Sequence, residues 1–231
     1  MALSTSNHSS RKRTARITGG LYIAFILASV LADTLGRVGI SDAEQVYQAI
    51  IKNVGSFRLG LVTAWISTFL FLAAAWGLYV LLRPVNKDLA LLFLLLNAVG
   101  VAIQCASMLA LISAMLFLDP GSQIQAASSG LPEGLAYSSI NLYKTGFASA
   151  QLFFGTWLFP LGYLVYRSRL LPRFLGVLLL LDGIGILIWF FQTFLLPAYP
   201  AIIYPGLAVS FIAEVGLGLW LLIKGVEEAE T

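Results

Sequence analysis

Asp182, Glu214 and Asn97 are the residues of this chain whose chemistry stands out, because each lies deep inside an apolar stretch. An ionisable side chain within a membrane span costs at least ~2.5 kcal/mol by insertion scales, so such groups usually face a protein interior or a wet cavity. At a rise of about 1.5 Å per helical residue, Asp182 and Asn97 sit about 12 Å above the inner edge of their spans, and Glu214 about 15 Å above that of its own. The three thus share one layer and could converge on a single inner polar site. A carboxyl enclosed by apolar surroundings can bind a cation, carry a proton or act as a general acid. The alternative is packing: each acid bonds a neighbouring helix or a backbone carbonyl, and Asn97 glues helices together.

Toward the opposite face lies a second polar layer: Asp33, Gln104, Lys144, Gln151 and Gln192, with Arg37 and Arg58 near the mouth. Together Asp33, Arg58, Gln104, Lys144, Gln151 and Gln192 would line a vestibule leading to the inner layer. Simpler roles are open to some of them. Asp33 and Arg37, four apart on one helix, can pair, and Lys144 can snorkel outward.

Other chemistries are excluded by residue counts. The chain has one histidine, His8 in a polar tail, and one cysteine, Cys105 inside a span. No bis-His haem, no His or Cys zinc site, no CxxC relay and no intrachain disulfide can be assembled. No metal site and no cofactor are expected. Nor does any basic stretch interleave with exposed aromatics, so the net charge of +3 implies no nucleic-acid partner.

The elements that hold these residues follow from composition. With 59% hydrophobic and only 11% charged residues, the chain falls far from soluble domains, in which about 25% of residues are charged. Six apolar blocks run over 17–36, 57–82, 89–118, 141–166, 174–196 and 201–223, each near the roughly 20 residues a helix needs to cross a bilayer. An all-α membrane protein with six transmembrane helices is expected. It comprises a basic tail 1–16, a single membrane domain 17–225 and an acidic tail 226–231. Trp65, Trp76, Trp157, Trp189 and Trp220 read as packing or interface anchors.

Charge sets the orientation. Arg11, Lys12, Arg13, Arg16, Arg83, Lys87, Arg167, Arg169, Arg173 and Lys224 alternate correctly with Arg37, Lys52, Arg58 and Lys144. The positive-inside rule then puts both termini in the cytoplasm. A signal peptide cleaved near Ala32 would also fit the basic start, but it would leave five spans and spoil the alternation.

Between the first two spans, Ser41-Asp42-Ala43-Glu44 has the form of a capping box. Val46, Tyr47, Ile50 and Ile51 follow at helical spacing up to Gly55, so a short amphipathic helix on the outer membrane surface is expected. The longest loop, 119–140, is rich in Gly, Ser and Pro, and Leu131-Pro132-Glu133 can start a helical turn within it.

An internal repeat is visible as well. Leu94-Leu95-Leu96-Asn97-Ala98-Val99-Gly100-Val101 matches Leu179-Leu180-Leu181-Asp182-Gly183-Ile184-Gly185-Ile186. Upstream, Leu78-Tyr79-Val80-Leu81-Leu82-Arg83 echoes Gly162-Tyr163-Leu164-Val165-Tyr166-Arg167. Two helical hairpins, spans two–three and four–five, would form a tandem parallel repeat of the kind found in transporters. Chance similarity between leucine-rich helices is the competing explanation.

Phe57-Arg58-Leu59-Gly60, Leu82-Arg83-Pro84-Val85-Asn86-Lys87, Tyr163-Leu164-Val165-Tyr166-Arg167-Ser168, Leu171-Pro172-Arg173-Phe174-Leu175-Gly176-Val177 and Glu214 ahead of Leu219-Trp220-Leu221-Leu222-Ile223-Lys224-Gly225 carry a family resemblance. Over 13–226 the chain resembles the bacterial membrane family catalogued as domain of unknown function 4386. The resemblance implies a bacterial multi-span protein of the cytoplasmic membrane and no activity. Glu214 matches an acid of the family pattern. In the third span the family often carries an arginine and a glutamate where this chain has Asn97 and Gly100, so an ion pair available in relatives is missing here. Asp182 is this chain's own feature.

Three functions stay open at this level. The first is binding or transport of a small amphipathic or cationic molecule, for which so small a bundle calls for a homodimer. The second is a non-catalytic membrane component that binds a protein partner. The third is an intramembrane enzyme acting on a lipid or isoprenoid, with Glu214 as general acid and Asp182 as its partner. Besides the bilayer itself, the partner of the first and third would be an amphipathic or lipid-like ligand.

Overall fold

The computed structural model describes residues 2–119, 121 and 130–226, with side chains from Ser10 onward. Its helices are α1 (Ala2–Gly36), α2 (Ala43–Lys52), α3 (Val54–Leu82), α4 (Lys87–Phe117), α5 (Leu131–Ser168), α6 (Arg173–Leu195) and α7 (Tyr204–Ile223), with a 3-10 turn over Pro200–Ile203. Six of them are long and apolar enough to span a membrane, all but α2. The protein is all-helical and polytopic, as the apolar blocks imply.

Two helices run well past those blocks. Residues 2–16 are the first turns of α1, with Ala15 fully buried. Residues 131–140, placed in a loop by their sequence, are the first turns of α5, with Ala136 and Ile140 fully buried. In both cases the polar residues that interrupt the apolar run sit on the exposed side of a helix whose other side is packed, which a count of consecutive apolar residues overlooks.

The amphipathic helix exists, with a different cap. Asp42, not Ser41, is the N-cap: Gln45 N donates to Asp42 Oδ1 at 2.8 Å, and Gln45 Oε1 accepts from Asp42 N at 3.2 Å. Ser41 does not cap because its hydroxyl donates to Asp33 Oδ1 at 2.8 Å, and Val46 and Ile50 lie on the buried face of the helix. Nor does Gly55 end the helix. Asn53 does, and its Oδ1 then accepts from Ser56 N at 2.9 Å and so starts α3, which contains Gly55.

The chain divides into two compact units. The first comprises residues up to Ala24, Leu70–Gly100 and everything from Gln151 on, including all of α6 and α7. Its helices meet at small residues. A Cβ on Gly185 of α6 would lie 2.8 Å from Gly206 Cα of α7, and one on Gly19 of α1 would lie 2.3 Å from Leu222 N of α7. Such closeness is how helices associate where lipid removes the usual hydrophobic drive. An aromatic cluster fills the space between α1, α3, α4 and α5: Phe71 meets Trp157 edge-on at 5.2 Å and Tyr22 edge-on at 6.1 Å, and Phe93 lies 6.1 Å from Trp157.

The second unit comprises Phe25–Phe69 and Val101–Ala150. Its core is aliphatic and small, with Val46 and Ile50 of α2 packed among Phe57, Leu61, Met108, Leu111, Ile140 and Tyr143. Ser29 and Ser67 share a 2.6 Å hydrogen bond between α1 and α3.

Candidate functional site

Asp182 and Glu214 come together in the first unit. Asp182 projects from α6 and has no exposed surface. The Ser210 hydroxyl of α7 is the group it interacts with, yet neither carboxyl oxygen has a partner at hydrogen-bond geometry. Glu214, one turn after Ser210, feels the charge of Asp182 and interacts with the Tyr22 side chain of α1. It remains partly exposed. Two acids therefore lie close enough on adjacent helices for one to feel the charge of the other, and each interacts with a hydroxyl.

Local sequence explains this placement. The four-residue spacing of Ser210 and Glu214 puts both on one face of α7. Gly185 and Gly206 let α6 and α7 approach closely. Ala213 and Leu217, on the buried side of α7, have no exposed surface. On α1, Tyr22 is fully buried, lies beside Gly218 of α7 and leans edge-on against Phe71. Sequence reasoning missed Tyr22 and Ser210. A tyrosine in an apolar block reads as core, and the signal that could have found Ser210 is its helical spacing to Glu214.

Asn97 is fully buried on α4 in the same unit, and neither its amide oxygen nor its nitrogen has a hydrogen-bond partner. It therefore makes no hydrogen bond to either acid.

The residues of the expected vestibule are divided between the two units. Asp33, Arg58, Gln104 and Lys144 belong to the second unit, Gln151 and Gln192 to the first. Lys144, instead of reaching for solvent, clamps the turn after α1: its Nζ donates to Gly39 O at 3.1 Å and Ser41 O at 2.5 Å. Asp33 accepts from Ser41 Oγ at 2.8 Å, so the residue expected to cap α2 is committed on both sides. Lys144 also feels the charges of Asp33 and Asp42. Arg58 is exposed, with its Nε on Met115 Sδ at 3.5 Å. Gln104 is partly buried, and its carbonyl accepts from Ser107 Oγ at 2.7 Å. Gln151 is buried. Gln192 donates to Leu196 O at 3.2 Å and closes the end of α6.

On α2, Glu44 accepts from Tyr137 Oη of α5 and from Gln48 Nε2 at 2.8 Å, and the Tyr47 and Tyr137 rings stack at 4.4 Å. The hydrogen bond from Tyr137, then that from Gln48, holds the Glu44 carboxyl below its ordinary pKa.

Comparison with known proteins gives kinship without chemistry. The model of a family described as "Domain of unknown function (DUF4386)" matches residues 17–225. A protein of Archaeoglobus fulgidus named "Uncharacterized protein" is 29% identical over 185 residues, covering 78% of this chain and 92% of its own length. No solved structure matches.

Proposed function

We propose that this protein, which belongs to the DUF4386 family, binds a small cationic or amphipathic molecule at Glu214 and Asp182 and carries it into or across a cytoplasmic membrane. The observation that supports this most is Asp182: an acid with no exposed surface, in a helix long enough to span a bilayer, without a hydrogen-bond partner. An acid so placed must hold a proton, reach water or take a cation. Its neighbour is a second acid, Glu214, so two carboxyls are available to one cation. Tyr22 contributes a hydroxyl and a ring face, and aromatic faces attract cations when desolvated.

Orientation and repeat belong to the same reading. Ten Lys and Arg residues on alternate connections argue for cytoplasmic termini. Asn97 and Asp182, at matching positions of the proposed hairpin repeat, are both fully buried without hydrogen-bond partners. Each is followed three residues later by a glycine in close contact, Gly100 with the Phe154 ring and Gly185 with Gly206.

The test uses tetraphenylphosphonium as the probe cation and the purified protein in neutral detergent. Saturable binding by calorimetry is expected, lost in Asp182→Asn/Glu214→Gln while that variant keeps the wild-type melting temperature within a few degrees. Equal binding by wild type and a folded double variant would sink the proposal and leave the acids as packing groups. Absence of saturable binding in wild type would do so equally.

A further inference from the structure

The end of the first unit that carries most of its basic residues contains a cavity of about 210 Å³. Ser10, Arg11 and Thr14 of α1 form one wall, Val80, Leu81, Arg83 and Pro84 at the end of α3 form another, and Leu170 and Val226 close it. Both arginines are exposed on one side. The Arg83 guanidinium rests 5.9 Å from the Tyr79 ring centre, which gives it a flat support. Among the described residues, no acidic side chain lines the cavity.

We infer that this cavity binds a phosphate group, and specifically the headgroup phosphate of an anionic phospholipid, between Arg11 and Arg83. The polar lining matches an anion. Two guanidiniums offer planar donor forks suited to phosphate oxygens, and the Ser10 hydroxyl adds a further donor, the Thr14 hydroxyl being given to Ser10 O at 3.0 Å. The apolar lining matches a lipid. Val80, Leu81, Pro84 and Leu170 would be wasted on a free ion, whereas a headgroup brings glycerol and acyl carbons with it. Position agrees, since basic pockets between transmembrane helices on the cytoplasmic side are where anionic headgroups are held.

The chain itself supplies one rival occupant. Glu227, Glu228 and Glu230 follow Val226 directly in the sequence, and a carboxylate could take the place of the phosphate. The test therefore has three arms, all on the full-length protein in neutral detergent, read by native mass spectrometry and thermal unfolding.

Phosphatidylglycerol should be retained over phosphatidylcholine of the same acyl chains. Arg11→Gln/Arg83→Gln should lose that preference by about thirtyfold, since each of the two basic residues near a membrane surface is worth about 1 kcal/mol toward anionic lipid. Lys87→Gln, which removes an exposed charge that does not line the cavity, should change it little. Equal retention of the two lipids by wild type, or an unchanged preference in the folded double variant, overturns the inference.

In the second arm, millimolar inorganic phosphate should not match the thermal protection given by phosphatidylglycerol. If it does, the phosphate chemistry stands and the lipid source falls. In the third arm, Glu227→Gln/Glu228→Gln/Glu230→Gln should leave lipid retention unchanged. Retention that appears only in this triple variant would assign the cavity to the chain's own glutamates and overturn the inference.

Discussion

The two units differ in how they place charged and amide side chains. In the second, those that join its elements have partners: Lys144 holds two carbonyls, Ser41 bonds Asp33, Ser29 bonds Ser67 and Glu44 accepts from Tyr137, although the buried Tyr143 hydroxyl has none at hydrogen-bond geometry. In the first, Asp182 and Asn97 are fully buried and make no hydrogen bond. A satisfied polar group specifies how elements dock, whereas an unsatisfied one subtracts from stability and needs another reason to be there. The second unit therefore reads as scaffold. In the first, the unpaired acid beside Glu214 is where a function would be stored.

This contrast predicts opposite signs on mutation. Lys144→Met should have the largest effect, a loss of about 2–4 kcal/mol, because two carbonyls and the attraction of Asp33 are left without their cation. Thermal unfolding in detergent, paired with hydrogen exchange of residues 37–42, measures it. A loss under a tenth of that range would mean the clamp is incidental.

Asn97→Leu should act the other way and raise stability by about 1–2 kcal/mol, since an amide without a partner is exchanged for an apolar side chain of similar size. A fall in the melting temperature would show that Asn97 has a partner after all, which weakens the distinction drawn between the units.

A smaller effect is expected for Ser67→Ala, about 0.6 kcal/mol, the average for a hydrogen bond between membrane helices. Glu214→Gln should change stability by no more than this and so separates a functional acid from a structural one.

The smallest effect concerns pH. Because the Tyr137 bond lowers the Glu44 pKa in the folded state, Glu44 contributes stability above its ordinary value of 4.5 and loses it as pH falls below that. Since Glu44 is exposed, the change is local and weakened by solvent screening. Hydrogen exchange in α2 should speed up in acid for wild type and lose that extra acid sensitivity in Tyr137→Phe.

Sequence alone determined the class of the protein and the number of its spans. Apolar runs near 20 residues admit few other solutions in water or lipid, and backbone groups in hydrocarbon must bond within their own helix. It also determined that α2 would be amphipathic, because Val46 and Ile50 recur at a period that no neighbour needs to supply. The alternating charges carried an orientation for the same reason, as each connection is read locally.

Only the tertiary structure decided which polar residues meet. Lys144 lies 103 positions from the Ser41 carbonyl it clamps, and no local pattern reports such a distance. Ser41 is a sound cap by type, yet Asp42 took the role because the Ser41 hydroxyl is held by Asp33, eight residues back. Equal depth in the membrane suggested that Asn97, Asp182 and Glu214 would converge. Depth is one coordinate, however, and rotation about each helix axis is another. The close approach of α6 to α7 at Gly185 and Gly206, and of α1 to α7 at Gly19, brought Tyr22 and Ser210 to the acids, two residues that depth alone does not single out.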